Sequence, residues 1–211
     1  MEYKKIGKSD LRVSSLGIGA AFRSGITENA SKIIERALDL GVNLIDTAEI
    51  YHKGMSEKTV GKAIRDRRDE VVVKTKVAVD HLKYDDVLKA AEGSLKRLGV
   101  NVIDLYLVHH PNPDVPIEET MKAMEKLVDQ GKVRYIGVSN FDNSLIKKAQ
   151  EALSRHEIVA NEVEYNLIER EIEETLLPYC KKEGISIIAY SPLARGLLTG
   201  RFREGFEIPE G

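Results

Sequence analysis

The stretch Asn43-Leu-Ile-Asp-Thr-Ala-Glu-Ile-Tyr51 reads as a short apolar β-type run that ends in an acid, with a tyrosine in the next loop. This order sets Asp46 at the carboxyl end of a strand and Tyr51 above it, the end at which α/β barrels gather their chemistry. Taken alone, an acid in that position is as often a helix N-cap or a turn residue, and a loop tyrosine is ordinarily a surface residue. The residues further along the chain decide between these readings.

Outward from this stretch the sequence alternates between short apolar runs and amphipathic segments. Strands are expected near 16 to 20, 42 to 46, 71 to 77, 102 to 108, 133 to 138, 157 to 161 and 185 to 190. Helices are expected near 28 to 40, 55 to 66, 84 to 98, 117 to 131, 142 to 153 and 170 to 183. Gly41, Gly131 and Gly184 stand where a left-handed residue would end a helix before the next strand. Ahead of the repeat, residues near 2 to 6 and 10 to 13 flank Gly7-Lys-Ser-Asp, which has hairpin-turn chemistry.

The strands are mostly continuous apolar runs, such as Val71-Val-Val and Ile185-Ser-Ile-Ile-Ala. Strands of this kind are buried on both faces, as in a parallel sheet covered by helices. Two architectures fit, the doubly wound open sheet and the eightfold barrel. The first should carry G-x-G-x-x-G after its first strand, but Gly17-Ile-Gly-Ala-Ala-Phe22 supplies only the first two glycines. The expectation is one α/β domain over residues 1 to 211, a (β/α)8 TIM barrel preceded by a β-hairpin.

Composition excludes several classes of function. Lys+Arg 32 against Asp+Glu 34 gives a net charge of −2, so no nucleic-acid surface is implied. No run reaches the length of a membrane span, and Met1-Glu-Tyr-Lys-Lys lacks the apolar segment of a signal peptide. The single Cys180, expected at a half-buried helix position, cannot form an internal disulfide, which fits a reducing, cytoplasmic setting.

The strand Val71-Val-Val-Lys-Thr-Lys-Val77 contains two lysines that cost a great deal to bury unless paired. With a period of two they share one face, and Lys76, nearer the carboxyl end, is expected to pair with Asp46. Lys74 is left without an explanation. In Ile103-Asp-Leu-Tyr-Leu-Val-His-His-Pro111, the alternation carries His109 inward with Leu105 and Leu107, while His110 faces away or enters the loop.

The ordered set Asp46, Tyr51, Lys76 and His109 resembles the active site of the aldo-keto reductases. So do Gly137-Val-Ser-Asn-Phe141, Asn161-Glu-Val-Glu-Tyr-Asn-Leu167 and Ala189-Tyr-Ser-Pro-Leu-Ala-Arg-Gly-Leu-Leu-Thr-Gly200. The resemblance implies a metal-free, NADPH-dependent reductase acting on a small-molecule carbonyl substrate, with Tyr51 as the proton donor. It implies that Lys76 lowers the phenol's pKa, that Asp46 holds Lys76, and that His109 orients the carbonyl. It also implies that Ser139, Asn140 and Glu162 lie at the nicotinamide carboxamide, that Tyr190 stacks on the ring, and that Ser191 and Leu193 lie along the pyrophosphate.

Three departures from the family pattern accompany the resemblance. The family usually has Gln where Glu162 stands, and an ionised carboxylate accepts hydrogen bonds but donates none. The chain has no tryptophan, and His110 comes just after the catalytic histidine where the family often has one, so a less aromatic and more polar pocket is expected. By strand count the eighth β/α unit and its adenosine contacts are absent, so NADP over NAD rests on family habit. The expectation is a fragment, or a barrel closed by another chain, which would make a homo-oligomer. The alternative readings are a non-catalytic, redox-sensing protein on the same scaffold, as in potassium-channel β subunits, and a Schiff-base aldolase using Lys76.

Overall fold

The computed structural model describes residues 1–22 and 29–202. The hairpin is formed by β1 (Tyr3–Lys5) and β2 (Arg12–Ser14), paired antiparallel. The repeat begins with β3 (Gly17–Gly19), α1 (Ala30–Asp39), β4 (Leu44–Asp46), α2 (Met55–Ile64), β5 (Val72–Val77), α3 (Tyr84–Leu98) and β6 (Ile103–Val108). It continues with α4 (Ile117–Asp129), β7 (Val133–Ser139), α5 (Asn143–Glu151), β8 (Ile158–Glu164), α6 (Leu176–Glu183) and β9 (Ser186–Tyr190). Strands β3 to β9 form one parallel sheet in chain order, with β3 and β9 at its edges.

Most of the expected elements are present with small shifts at their ends. The exception is the segment expected as one helix over 170 to 183, which is a short 3-10 turn, Glu171–Glu173, and then α6. The expected start of the first helix at residue 28 lies outside the described residues. Gly41, Gly131 and Gly184 have φ of 84°, 70° and 71°, the left-handed conformation that ends a helix cheaply at glycine.

The strands divide the interior in two. One face of the sheet packs on the helices through a large apolar core that includes Ile45, Val73, Tyr106 and Ile136. The other face encloses a smaller core in which Ile6, Leu11 and Val13 of the hairpin meet Leu44, Val72, Leu105 and Leu107. The hairpin therefore floors the inner side at the amino ends of the strands, leaving the carboxyl ends for polar residues. Cys180 is fully buried rather than half-buried, and burial raises its thiol to about 11, which keeps it unreactive. No helix among the described residues is long and apolar enough to cross a membrane.

Helix α2 meets α3 at backbone distance through Gly61, where an added Cβ would lie 2.1 Å from the Leu98 carbonyl oxygen. In an isolated helix Gly→Ala stabilises by about 1 kcal/mol. Here the obstacle is backbone and cannot rotate aside, so Gly61→Ala should destabilise the fold by about 1–3 kcal/mol. A urea-unfolding midpoint for Gly61→Ala equal to or above that of the parent chain would contradict this.

Candidate active site

The site is assembled at the carboxyl ends of the strands. Asp46 ends β4, Lys74 and Lys76 lie on β5, His109 comes directly after β6, Ser139 ends β7, and Glu162 lies near the end of β8. Asp46 and Lys74 are register partners across β4 and β5, so both project to the inner face, with Lys76 two residues further toward the open end. Asp46, Tyr51, Lys74, His109, Ser139, Glu162 and Tyr190 line a cavity of about 780 Å³ that also runs along the side between β3 and β9.

The two lysines are completely buried yet surrounded by charge. The Lys76 ammonium forms an ion pair with Asp46 Oδ1, donates to the Thr47 carbonyl at 3.2 Å, and lies 3.4 Å from Glu162 Oε1. The Lys74 ammonium forms an ion pair with Glu162 Oε2 and lies 3.1 Å from the same Asp46 oxygen. Two lysines and two carboxylates thus face one another, which gives the unexplained Lys74 its partners, while burial, opposed by Asp46 and aided by Lys76, lowers the Lys74 pKa to about 8. Burial alone would raise the Asp46 carboxyl, but Lys74 and Lys76 outweigh it and hold the pKa below the ordinary value.

Tyr51 is held over this group by a pinned loop. The Thr47 and Glu49 amides donate to the Lys74 and Lys76 carbonyls at 2.9 and 3.3 Å, so the chain still tracks β5 after β4 has ended. The Glu49 carboxylate accepts from the Ala78 amide at 2.6 Å, and the Ser56 hydroxyl donates to the Ala20 carbonyl at 2.7 Å. His52 and Lys53, with φ of 49° and 54°, form the left-handed bend that turns the chain into α2.

The Tyr51 hydroxyl accepts from Lys76 at 3.5 Å, and its ring stands edge-on to His109 with centroids 5.6 Å apart. Its pKa is raised, first by burial and then by Asp46 and Tyr190. The expectation that Lys76 lowers it is therefore corrected. The lysine's charge is already taken up by Asp46, and what remains does not offset the desolvation of a phenolate.

His109 is buried, and its Nδ1 has no hydrogen-bond partner among the described residues. Burial, then the charges of Lys76 and His110, lower its pKa to about 4. Of the two expectations for His110, facing away or entering the loop, it is the second that holds, since it lies in the bend beyond β6 and turns back toward the site. Its ring stacks on His109 with centroids 5.0 Å apart, and its Nδ1 is 3.1 Å from the Asn140 side-chain amide.

The expected cofactor residues fall into two groups. Ser139, Asn140, Glu162, Tyr190 and Ser191 all border the cavity. The Ser139 hydroxyl donates to the Glu162 carbonyl at 3.0 Å, and the Tyr190 hydroxyl donates to Asn140 Oδ1 at 3.0 Å. Asn140 has φ of 62°, a left-handed bend that swings its side chain back across the end of the sheet. Leu193, by contrast, is 54% exposed and does not line the cavity; its carbonyl accepts the amides of Gly196 and Leu198 in the turn Ala194–Thr199.

The profile described as "Aldo/keto reductase family" matches residues 15–210. The chain belongs to the aldo-keto reductase family. Aldo-keto reductase YhdN of Bacillus subtilis is 42% identical over 98% of this chain, and this chain spans 66% of that protein's length. The solved structure of a thermostable aldo-keto reductase, Tm1743, in complex with the inhibitor epalrestat has 41% identity and a TM-score of 0.89 over 95% of this chain and 76% of its own. An aldo/keto reductase from Klebsiella pneumoniae in complex with NADP and acetate has 38% identity and a TM-score of 0.80, over 92% of this chain and 68% of its own. Within this family frame the seven-stranded curled sheet with helices on its outer face is the expected α/β, barrel-type architecture.

A buried imidazole beside two ammonium groups should stay neutral across the physiological range. Histidine ring signals monitored by NMR, with His109→Asn as the assignment control, should place the His109 midpoint near 4. A midpoint in the ordinary range of about 6.5 would mean that the ring is solvated and not enclosed as described.

Proposed function

We propose that this chain reduces aldehyde or ketone carbonyls to alcohols with NADPH, by reversible hydride transfer in which Tyr51 is the general acid. The observation that carries this reading is the continuous polar link from Asp46 through Lys76 to the Tyr51 hydroxyl, with His109 packed against the same ring at the mouth of the cavity. The similarity to reductases at 38–42% identity supports it.

The donor set suits a nicotinamide. Asn140 offers an amide and Glu162 a carboxylate to a carboxamide group, and Tyr190 offers an aromatic face beside them. Ser139 fixes the end of β7 through the Glu162 carbonyl, and Ser191 continues the same wall after Tyr190. Leu193 remains assigned to the cofactor by the family pattern alone. When bound, the reduced nicotinamide supplies the hydride.

The protein's part is to hold a proton where negative charge develops. As the carbonyl carbon accepts the hydride pair, its oxygen takes the proton of the Tyr51 hydroxyl, leaving a phenolate 3.5 Å from the Lys76 ammonium. Asp46 and the Thr47 carbonyl keep that ammonium aimed at the ring and prevent it from folding away. His109, neutral at ordinary pH, is placed to hydrogen-bond the carbonyl oxygen without competing for its charge as an ion.

The raised pKa of Tyr51 gives the two directions different pH behaviour. Reduction needs the protonated phenol, which is fully populated below the raised value, so its rate should be flat from about pH 6 to 9. Alcohol oxidation needs the phenolate and should still be rising at the alkaline end of that range. Tyr51→Phe should lower turnover with small aldehydes by about 10²–10⁴-fold while leaving NADPH affinity, measured by nicotinamide emission, within a few-fold of the parent. Equal loss of binding and turnover in Tyr51→Phe would remove Tyr51 from the role of acid.

A further inference from the structure

The reaction as proposed uses Asp46 and Lys76, and Glu162 toward the nicotinamide, and leaves Lys74 and its ion pair with Glu162 without a role. Lys74 is 1% exposed and Glu162 4% exposed, so each is removed from water as thoroughly as the aliphatic core. An isolated charge so placed is costly, and a pair is retained only where the geometry is close and the partners are complete. Both lysines reach the same Asp46 oxygen. One carboxylate shared by two ammonium groups would leave a net charge of about +1 under Tyr51, and would draw Asp46 away from Lys76. Glu162 cancels that excess and holds Lys74 on its own Oε2, with Oε1 facing Lys76 at 3.4 Å.

We propose that Lys74 and Glu162 are a positioning pair that fixes the electrostatic load on Tyr51, with Glu162 engaging Lys74 so that Asp46 stays committed to Lys76. This rests on the reading of Tyr51 as the acid of a carbonyl reductase. Glu162 keeps Lys74 from unbalancing the Asp46–Lys76 couple. The groups facing Tyr51 are Asp46 from β4, Lys74 and Lys76 from β5, His109 and His110 after β6, Glu162 from β8 and Tyr190 from β9. His109 is uncharged near neutrality, and Asp46 and Lys76 balance each other. A substitution in the Lys74–Glu162 pair therefore changes the net charge while leaving Tyr51 and Lys76 themselves in place, with the 3.4 Å contact of Glu162 to Lys76 the one link it alters directly.

The test uses the full chain labelled with [13C]tyrosine, in which the Tyr51 ring signal is assigned by its absence from Tyr51→Phe. Glu162→Gln removes a negative charge and should lower the Tyr51 titration midpoint by about one pH unit, seen as more phenolate at a fixed alkaline pH. Lys74 releases its proton near pH 8, so its charge is tested below that value: at a fixed pH of about 7 Lys74→Met should oxidise alcohol more slowly than the parent, Glu162→Gln faster, and the double variant Lys74→Met/Glu162→Gln like the parent. A pair with only a structural role would lower the unfolding midpoint of both single variants and leave the Tyr51 signal unmoved.

An unchanged Tyr51 midpoint in Glu162→Gln, or a double variant that oxidises alcohol at about pH 7 as fast as Glu162→Gln, would overturn the proposal. Should Lys74→Met not fold, Glu162→Gln and the double variant still decide it. A parent chain that binds NADPH but turns over no carbonyl in either direction would overturn the functional reading instead. The Tyr51 titrations would remain readable in that case, because they require no turnover.

Discussion

The ion pair between Lys74 and Glu162 constrains the rest of the structure. Lys74 lies on β5 and Glu162 on β8, three strands apart. In a flat sheet that separation is about 14 Å at roughly 4.8 Å per strand, with both side chains projecting to the same side. Direct contact between the two ends therefore requires the sheet to curl until its inner faces look at one another. Curling alone would bring two buried lysines together. It is tolerable because the strands that carry the acids are placed to meet them, one adjacent through Asp46 and one across the interior through Glu162.

That constraint orders the interior by height. At the amino ends of the strands the inner space is filled by leucines, Val72 and the apolar residues of the hairpin. One turn of the pleat higher, the same faces carry Asp46, Lys74, Lys76 and Glu162. The hairpin closes the lower end to water, so the charges above have only one another and the cavity mouth for company. Low polarizability around them strengthens each pairing and penalises each omission. The Tyr51 loop is the lid on this arrangement, and its backbone bonds to Lys74 and Lys76 tie the position of the phenol to the strand that bears the cations.

Much of this is legible in the sequence, and the reasons for what is not are physical. Continuous apolar runs such as Val71-Val-Val and the glycines at 41, 131 and 184 mark strand and helix limits through local rules, and those limits stand within a few residues. Asp46, Lys76 and His109 meet as expected because strand periodicity fixes which face each occupies. Glu162 as the partner of Lys74 escapes a sequence reading, since the contact crosses the interior and no local pattern encodes it. Charge arithmetic holds the signal: two inward lysines on one strand demand two inward acids, and Asp46 supplies only one. His110 enters the loop, the second of its two expected placements, and because the two-residue period stops at the strand end no pattern indicates that its ring folds back onto His109. The Tyr51 shift runs opposite to expectation because a neighbouring cation counts for little once a carboxylate already neutralises it.

On the proposed reading of Tyr51 as the acid, the protonation states that result favour one direction of chemistry. Burial holds the phenol protonated, and the same burial, aided by the nearby ammonium groups, holds the imidazole neutral. A site prepared this way presents a proton and a neutral hydrogen-bonding ring, the ground-state requirements of carbonyl reduction, and must be discharged before it can run backwards. The mutual pairing of Asp46, Lys74, Lys76 and Glu162 bears on this. With a net positive charge beneath it the phenol would ionise more readily and be a poorer reservoir of protons; with a net negative charge the phenolate formed on reduction would be harder to bear. On that reading, pairing of the two lysines keeps Tyr51 between these limits, and the buried charges would serve the acid by cancelling one another.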